Sequence, residues 1–184
     1  MTKILTISDI DSEISSKVYT QDYSKKQLID GVKIVDLKNF AGEDGNFSEL
    51  LRIGENGETE GFPGFKISQI NKSKINPKAI KAWHLHFKQD EIWFVSPSKS
   101  LLVGLWDVRE KSETKDVSLR IILGEGSSKL IFIPKGVAHG CSNTSLEPVD
   151  LFYFVSEKFN PQSPDEQRIK WDSLGEDFWS PQKD

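Results

Sequence analysis

From residue 31 onward the chain is a succession of short apolar runs, and this pattern restricts the fold more than any other feature. "GVKIVDLKNF", "AWHLHF", "EIWFVSP", "SLLVGLWDV", "VSLRIILG", "SKLIFIPKG" and "VDLFYFVSEKF" are rich in β-branched and aromatic residues and bounded by Gly, Pro, Ser or Asp. Runs of this kind predict strands. No helical pattern of about ten residues separates them, which argues against parallel βαβ units. Many short strands at close spacing predict an all-β sandwich or barrel. Val32, Ile34, Val35 and Leu37 open the first strand, and "AGEDGN", with Gly42 and Gly45, supplies turn chemistry after it. "FKISQINKS" adds an approximate alternation of Phe65, Ile67 and Gln69 against Lys66, Ser68 and Ile70.

The two ends read differently. Residues 1–30 are polar with weak periodicity and predict an N-terminal arm, residues 31–160 the barrel, and residues 161–184 a polar tail. Trp171, Phe178 and Trp179 in that tail predict packing over a sheet or across a subunit. A chain of 184 residues fits one domain, and at this size folding buries roughly 70% of the unfolded surface. The single Cys141 excludes an internal disulfide and fits a reducing, cytoplasmic setting, where it would be buried and inert. "MTKILTISDIDSEISSK" is too polar and acidic for a secretion signal. No apolar run approaches the ~20 residues of a membrane span. The net charge of −4 offers no basic footprint for nucleic acid.

All three histidines fall in two short stretches, "KAWHLHFKQDEIWFV" and "IPKGVAHGCSN". Residues i and i+2 of a strand share a face, so His84 and His86 project together. The residues between His86 and Glu91 allow a bend that returns Glu91 to the same space, and His139 follows the "PKG" turn. Imidazole nitrogens with a carboxylate oxygen suit a divalent transition metal such as Zn, Mn, Fe or Ni.

"HLHFKQDE" resembles the first metal motif of cupins, His-x-His-x4-Glu, and "PKGVAHGCSN" the second, through Pro134, Gly136, His139 and Asn143. The resemblance implies a double-stranded β-helix, a jelly-roll barrel with its site in the mouth. Within the cupins, the order of segments from Gly31 to about Trp179 is similar to the dTDP-4-dehydrorhamnose 3,5-epimerase family. "SQINKS" resembles that family's Gln-x-Asn-x-Ser segment, "KAWH" its Arg-Gly-Leu-His, "WDVREKSET" its Asp-x-Arg-x-x-Ser-x-Thr turn, and "IPKGVAHG" its Ile-Pro-x-Gly-x-Ala-His-Gly. "LFYF" and "RIKWDS" match its Phe-Leu-Tyr-Lys and Ile-x-Trp-Asp segments.

This likeness implies His84 as catalytic base, Tyr153 as general acid, and Gln69, Asn71, Lys81 and Arg109 as substrate contacts. It also implies a sugar-nucleotide substrate and a homodimer. Departures stand beside it. Two substrate-contacting arginines of the family are Asp44 and Lys81 here, its Gln two residues after the base is His86, and its active-site Lys falls at or near Glu91. The Asp that orients the base lies in a longer tail in the family, and Asp184 is the one candidate to replace it.

The epimerases work without metal, yet His86 and Glu91 are metal-binding types. A carboxylate repels a developing enolate charge, whereas a divalent ion held by His84, His86, Glu91 and His139 could stabilise it. A coordinated His84 would have no lone pair left to act as base, so Glu91 or Tyr153 would then move protons. Three functions follow as expectations. The first is epimerisation or isomerisation of a 4-keto-6-deoxy sugar nucleotide, metal-free as in the family or with the ion. The second is other metal-dependent cupin chemistry (sugar isomerase, lyase or oxygenase), and the third is non-catalytic sugar binding. Outside their motifs, Tyr153 reads as core, Glu91 as a solvated carboxylate and Arg109 as a surface ion-pair member.

Overall fold

The computed structural model describes residues 4–24 and 27–182. A single 3₁₀ turn at Ile7–Asp9 and a short helix at Ser12–Ser15 begin it, and neither buries a side chain. Among the described residues of the arm, Ile29 is the apolar side chain buried in the core, followed by Val32 at the start of the barrel. The strands are β1 (Lys33–Asp36), β2 (Phe40–Gly42), β3 (Gly45–Phe47), β4 (Gln69–Ile75), β5 (Ile80–Leu85) and β6 (Glu91–Val95). They continue with β7 (Ser100–Asp107), β8 (Ser118–Gly124), β9 (Lys129–Ile133), β10 (Val137–Ser142), β11 (Val149–Val155) and β12 (Gln167–Arg168).

Ten of these strands form two five-stranded antiparallel sheets, in the orders β1-β9-β6-β11-β4 and β12-β5-β10-β7-β8. This is the antiparallel barrel that the run of short strands predicts, and the jelly-roll that the resemblance to cupins implies. β2 and β3 make a separate hairpin around the "AGEDGN" turn. The alternation expected from Phe65 becomes a strand only at Gln69. Before it, Phe65 N bonds Phe62 O at 3.0 Å and Thr59 N bonds Phe65 O at 2.8 Å, so the chain around Pro63 and Gly64 turns locally instead of pairing.

The apolar runs are long because both faces of each sheet are covered. Val95, Val103, Leu105, Ile131, Val137 and Leu151 meet between the sheets. The outer face of the β6 sheet, with Ile92, Phe94, Leu130 and Phe154, is roofed by Phe62 and Phe65. The outer face of the β5 sheet is roofed by the tail, where Trp179 and Phe178 close on Trp83, Trp106 and Ala138. A strand buried on both faces reads as a continuous apolar stretch rather than an alternation, and every residue of β6 is buried.

Between the sheets, polarity changes along each strand. On β4, Gln69, Asn71 and Ser73 line the cavity before Ile75 reaches the core. One end of the barrel is therefore a polar mouth and the other an apolar floor.

The tail is seated by shape. Trp83 and Trp179 are nearly inaccessible, their rings lie 4.6 Å apart, and Trp179 Nε1 donates to Trp171 O at 2.8 Å. Gly104 permits this, since a Cβ there would meet Phe178 and Trp179 at 2.6 Å. Gly104→Ala should therefore lower stability by about 1–3 kcal/mol and expose the tail to proteolysis, as measured by urea denaturation and limited digestion.

Candidate active site

Register brings the histidines together. β10 pairs with β5 so that His139 stands opposite His84, with ring planes 5.9 Å apart by centroid and nearly parallel. His86 lies just past the end of β5, and Glu91 opens β6 in the facing sheet. The bend between them is fixed by Asp165, whose carboxylate accepts from the backbone N–H of Phe87, Lys88 and Gln89 at 2.9, 2.8 and 3.0 Å. Burial raises the pKa of Asp165, but these three N–H groups and the nearby His86 lower it more, so it is held ionised.

His86, Glu91 and His139 are buried, and one ligand atom from each lies within 4.8 Å of the others. Nε2 of His86 is 3.1 Å from Glu91 Oε1, and Nε2 of His139 is 3.6 Å from Glu91 Oε2. Each Nδ1 faces a backbone carbonyl, Asp165 O for His86 and Val137 O for His139. A carbonyl only accepts, so both Nδ1 atoms carry hydrogen and both Nε2 atoms turn toward the carboxylate. Gln89 Nε2 (2.7 Å) and Trp93 Nε1 also donate to Glu91.

Burial pushes Glu91 up, but the charges of His139 and His86 and the hydrogen bonds from His86 and Trp93 pull it down to about 2. Burial drives His139 down to about 4, against the pull of the Glu91 carboxylate. Burial also opposes charge on His86, yet the Glu91 carboxylate outweighs it and raises its pKa. His86 is thus the nearer partner of the carboxylate, its Nε2 at 3.1 Å against 3.6 Å for His139.

His84 stands apart from this trio. Its Nδ1 is 2.7 Å from Glu166 Oε1, and its Nε2 is 2.6 Å from Arg168 Nη1. The expectation of a four-ligand set is corrected here: among the described residues the ligand-type atoms converge from His86, Glu91 and His139, and both His84 nitrogens have other partners. His84 is thus not among the converging ligand-type groups.

Glu166 takes the orienting place that sequence reasoning offered to Asp184, which lies outside the described residues. The sequence carried only a weak signal for it. Glu166 and Arg168 sit at i and i+2 just before the "IKWD" segment, and β12 pairs Arg168 with His84.

A cavity of about 560 Å³ opens over these groups, lined by His84, His86, Glu91 and His139 from the expected set and by Tyr153, Gln69, Asn71 and Lys81. Tyr153 comes from β11, in the sheet facing His84. Gln69 Nε2 donates to Asn71 Oδ1 at 2.6 Å, and Lys81 Nζ to Ser73 Oγ at 3.3 Å.

The profile of the dTDP-4-dehydrorhamnose 3,5-epimerase family matches residues 26–179. The chain belongs to that family. It is thereby an enzyme of the isomerase class, with the fold and segment order that its sequence resembles. It is 42% identical over 145 residues to the spore coat polysaccharide biosynthesis protein SpsL of Bacillus subtilis (strain 168), covering 79% of this chain and 91% of that one. It is 30% identical over 144 residues to a probable low-salt glycan biosynthesis epimerase of Haloferax volcanii, covering 78% and 89%. Among solved structures it superposes at a TM-score of 0.68 and 25% identity on the dTDP-6-deoxy-D-glucose-3,5-epimerase RmlC from Legionella pneumophila Philadelphia 1, in complex with dTDP-4-keto-L-rhamnose. That match covers 79% of this chain and 76% of the other. Among the described residues no helix is long and apolar enough to cross a membrane.

Arg109 is not brought to the cavity of this epimerase. Its Nε and Nη2 each lie 2.8 Å from the Asp107 carboxylate, and Nη2 also donates to Asp30 O. Asp107 is fully buried and accepts further bonds from Ser112 and Thr114. The expected substrate contact is thus the partner of a buried carboxylate, which ties the β7 turn to the arm.

Burial raises the pKa of Asp107, but the bonds from Arg109, Ser112 and Thr114 lower it far below the usual carboxylate range. Such a group adds stability that is full above the unfolded pKa of about 3.9 and is lost as the pH falls through the folded value. Urea midpoints should therefore fall for the native chain as the pH drops from 5 to 2. Asp107→Asn should be about 3 kcal/mol less stable at pH 7 and show a flatter acid slope.

Proposed function

We propose that the chain epimerises a 4-keto-6-deoxy sugar carried on a nucleoside diphosphate, with His84 as base and Tyr153 as acid. The observation that carries this is the Glu166–His84 hydrogen bond. An ionised carboxylate only accepts, so Nδ1 holds the hydrogen and the lone pair is on Nε2, at the cavity. The C–H bond beside the sugar carbonyl breaks, its proton passes to Nε2, and the electron pair moves onto the carbonyl oxygen as an enolate. Tyr153, from the opposite sheet, returns a proton to the other face of that carbon and so inverts it. Gln69, Asn71 and Lys81 line the space that the sugar would fill. Relatives support the substrate class, since the Legionella enzyme holds dTDP-4-keto-L-rhamnose.

Glu91 cannot steady the enolate oxygen itself. We propose that a divalent transition metal (Zn, Mn, Fe or Ni) binds Nε2 of His86, Nε2 of His139 and Glu91. The donor set supports the fit: two imidazoles with Nδ1 backed by carbonyls are the usual second-sphere arrangement of histidine ligands. Bound there, the ion would supply Lewis-acid stabilisation of the enolate. His84 keeps its lone pair in either case.

We also propose a homodimer working in the cytoplasm. Ile70 on the edge strand β4 and Phe40 and Phe47 on the hairpin are exposed, and unpaired sheet edges favour pairing. The buried, unpaired Cys141 needs no oxidising compartment.

Incubation with dTDP-4-keto-6-deoxyglucose in heavy water should place deuterium at carbon 3, carbon 5 or both. His84→Asn should slow this by about 10²–10⁴-fold. Tyr153→Phe should let exchange continue while inversion fails. Absence of exchange at both carbons would overturn the reading. Elemental analysis should find about one ion per chain, lost in His86→Ala and His139→Ala; an unchanged trace content would remove the metal from it.

A further inference from the structure

We propose that Arg168 caps the base His84 in the free enzyme and that the diphosphate of the substrate draws it off, so that the anionic arm of the substrate uncovers the base. The inference rests on His84 being the base of the proposed epimerisation. Its geometry is independent of that role. Glu166 fixes hydrogen on Nδ1 of His84, which leaves Nε2 as the acceptor. Arg168 Nη1 fills that acceptor at 2.6 Å, while its Nη2 holds Glu166 Oε1 at 2.8 Å. One carboxylate, one imidazole and one guanidinium thus close a ring. A lone pair already accepting from a guanidinium, which never deprotonates, cannot take a proton from carbon. For turnover Arg168 must leave.

Two further observations say what removes it. Arg168 lies on the two-residue edge strand β12, and its side chain is 55% exposed, so it can swing without disturbing the core. Lys81, Lys88 and Lys158 line the same cavity, and among the described residues no carboxylate pairs with any of them. These ammonium groups share the cavity with the carboxylates of Glu91, Glu157, Asp165 and Glu166 but form no ion pair with them, so they can join Arg168 in meeting an anion. A diphosphate offers paired oxygens that match the guanidinium fork, and it brings more charge than the carboxylate it competes with. The base would then be uncovered only when the sugar arrives with its nucleotide.

Arg168→Ala and Arg168→Lys test this, with thermal melting to verify folding. Carbethoxylation of His84 by diethylpyrocarbonate, read by mass spectrometry without ligand, should be several-fold faster in Arg168→Ala than in the native chain. Titration with dTDP should show affinity weakened about tenfold or more in Arg168→Ala and less in Arg168→Lys. In kinetics with the full substrate, KM should rise more than kcat falls. Unchanged His84 modification, or unchanged dTDP affinity, would overturn the proposal. Neither measurement needs turnover. If both behave as expected while the native enzyme exchanges no deuterium, the cap stands and the assigned reaction is what fails.

Discussion

The docking of the tail onto the outer face of the β5 sheet is the contact on which the site depends. Trp179 and Phe178 seat against Trp83 and Gly104, and that anchorage holds the chain before it along β5 as β12. From this one strand and its approach come Asp165, which shapes the bend between His86 and Glu91, and Glu166, which orients His84. Apolar burial on one side of the sheet thereby sets proton positions on the other. A two-residue strand has little pairing energy of its own, so packing of the aromatic rings, not backbone hydrogen bonding, keeps these carboxylates in place.

The strands were legible because both faces of each sheet are covered, which turned β6, β7 and β11 into dense apolar runs. The meeting of His84, His86, Glu91 and His139 at one cavity was legible too, since period-two geometry and turn positions are local. Glu166 was not. Its partner lies 82 residues away, and the acidic tail around it reads as solvated until the aromatic anchor is known. Arg109 misled for the opposite reason. A local match drew it toward the substrate, whereas the burial of Asp107, visible only in three dimensions, claims its charge.

In the proposed reading, the cavity separates two tasks that the sequence seemed to set against each other. Successive same-face positions carry an imidazole turned to Glu166 and an imidazole turned to Glu91. The first ring keeps a lone pair at the mouth; the second belongs to a buried trio that can share a proton or hold an ion. A barrel that grades from polar mouth to apolar floor lets both exist within a few ångströms, because the carboxylates that set each ring come from different elements.

Central to the proposed reaction is that Glu166 acts on proton abstraction through His84. A double-mutant cycle on deuterium exchange into the keto sugar, using His84→Ala, Glu166→Ala and the pair together, tests it most directly. The account predicts that Glu166→Ala slows the native enzyme strongly but changes the rate little once His84 is gone. Equal slowing in both backgrounds would contradict it.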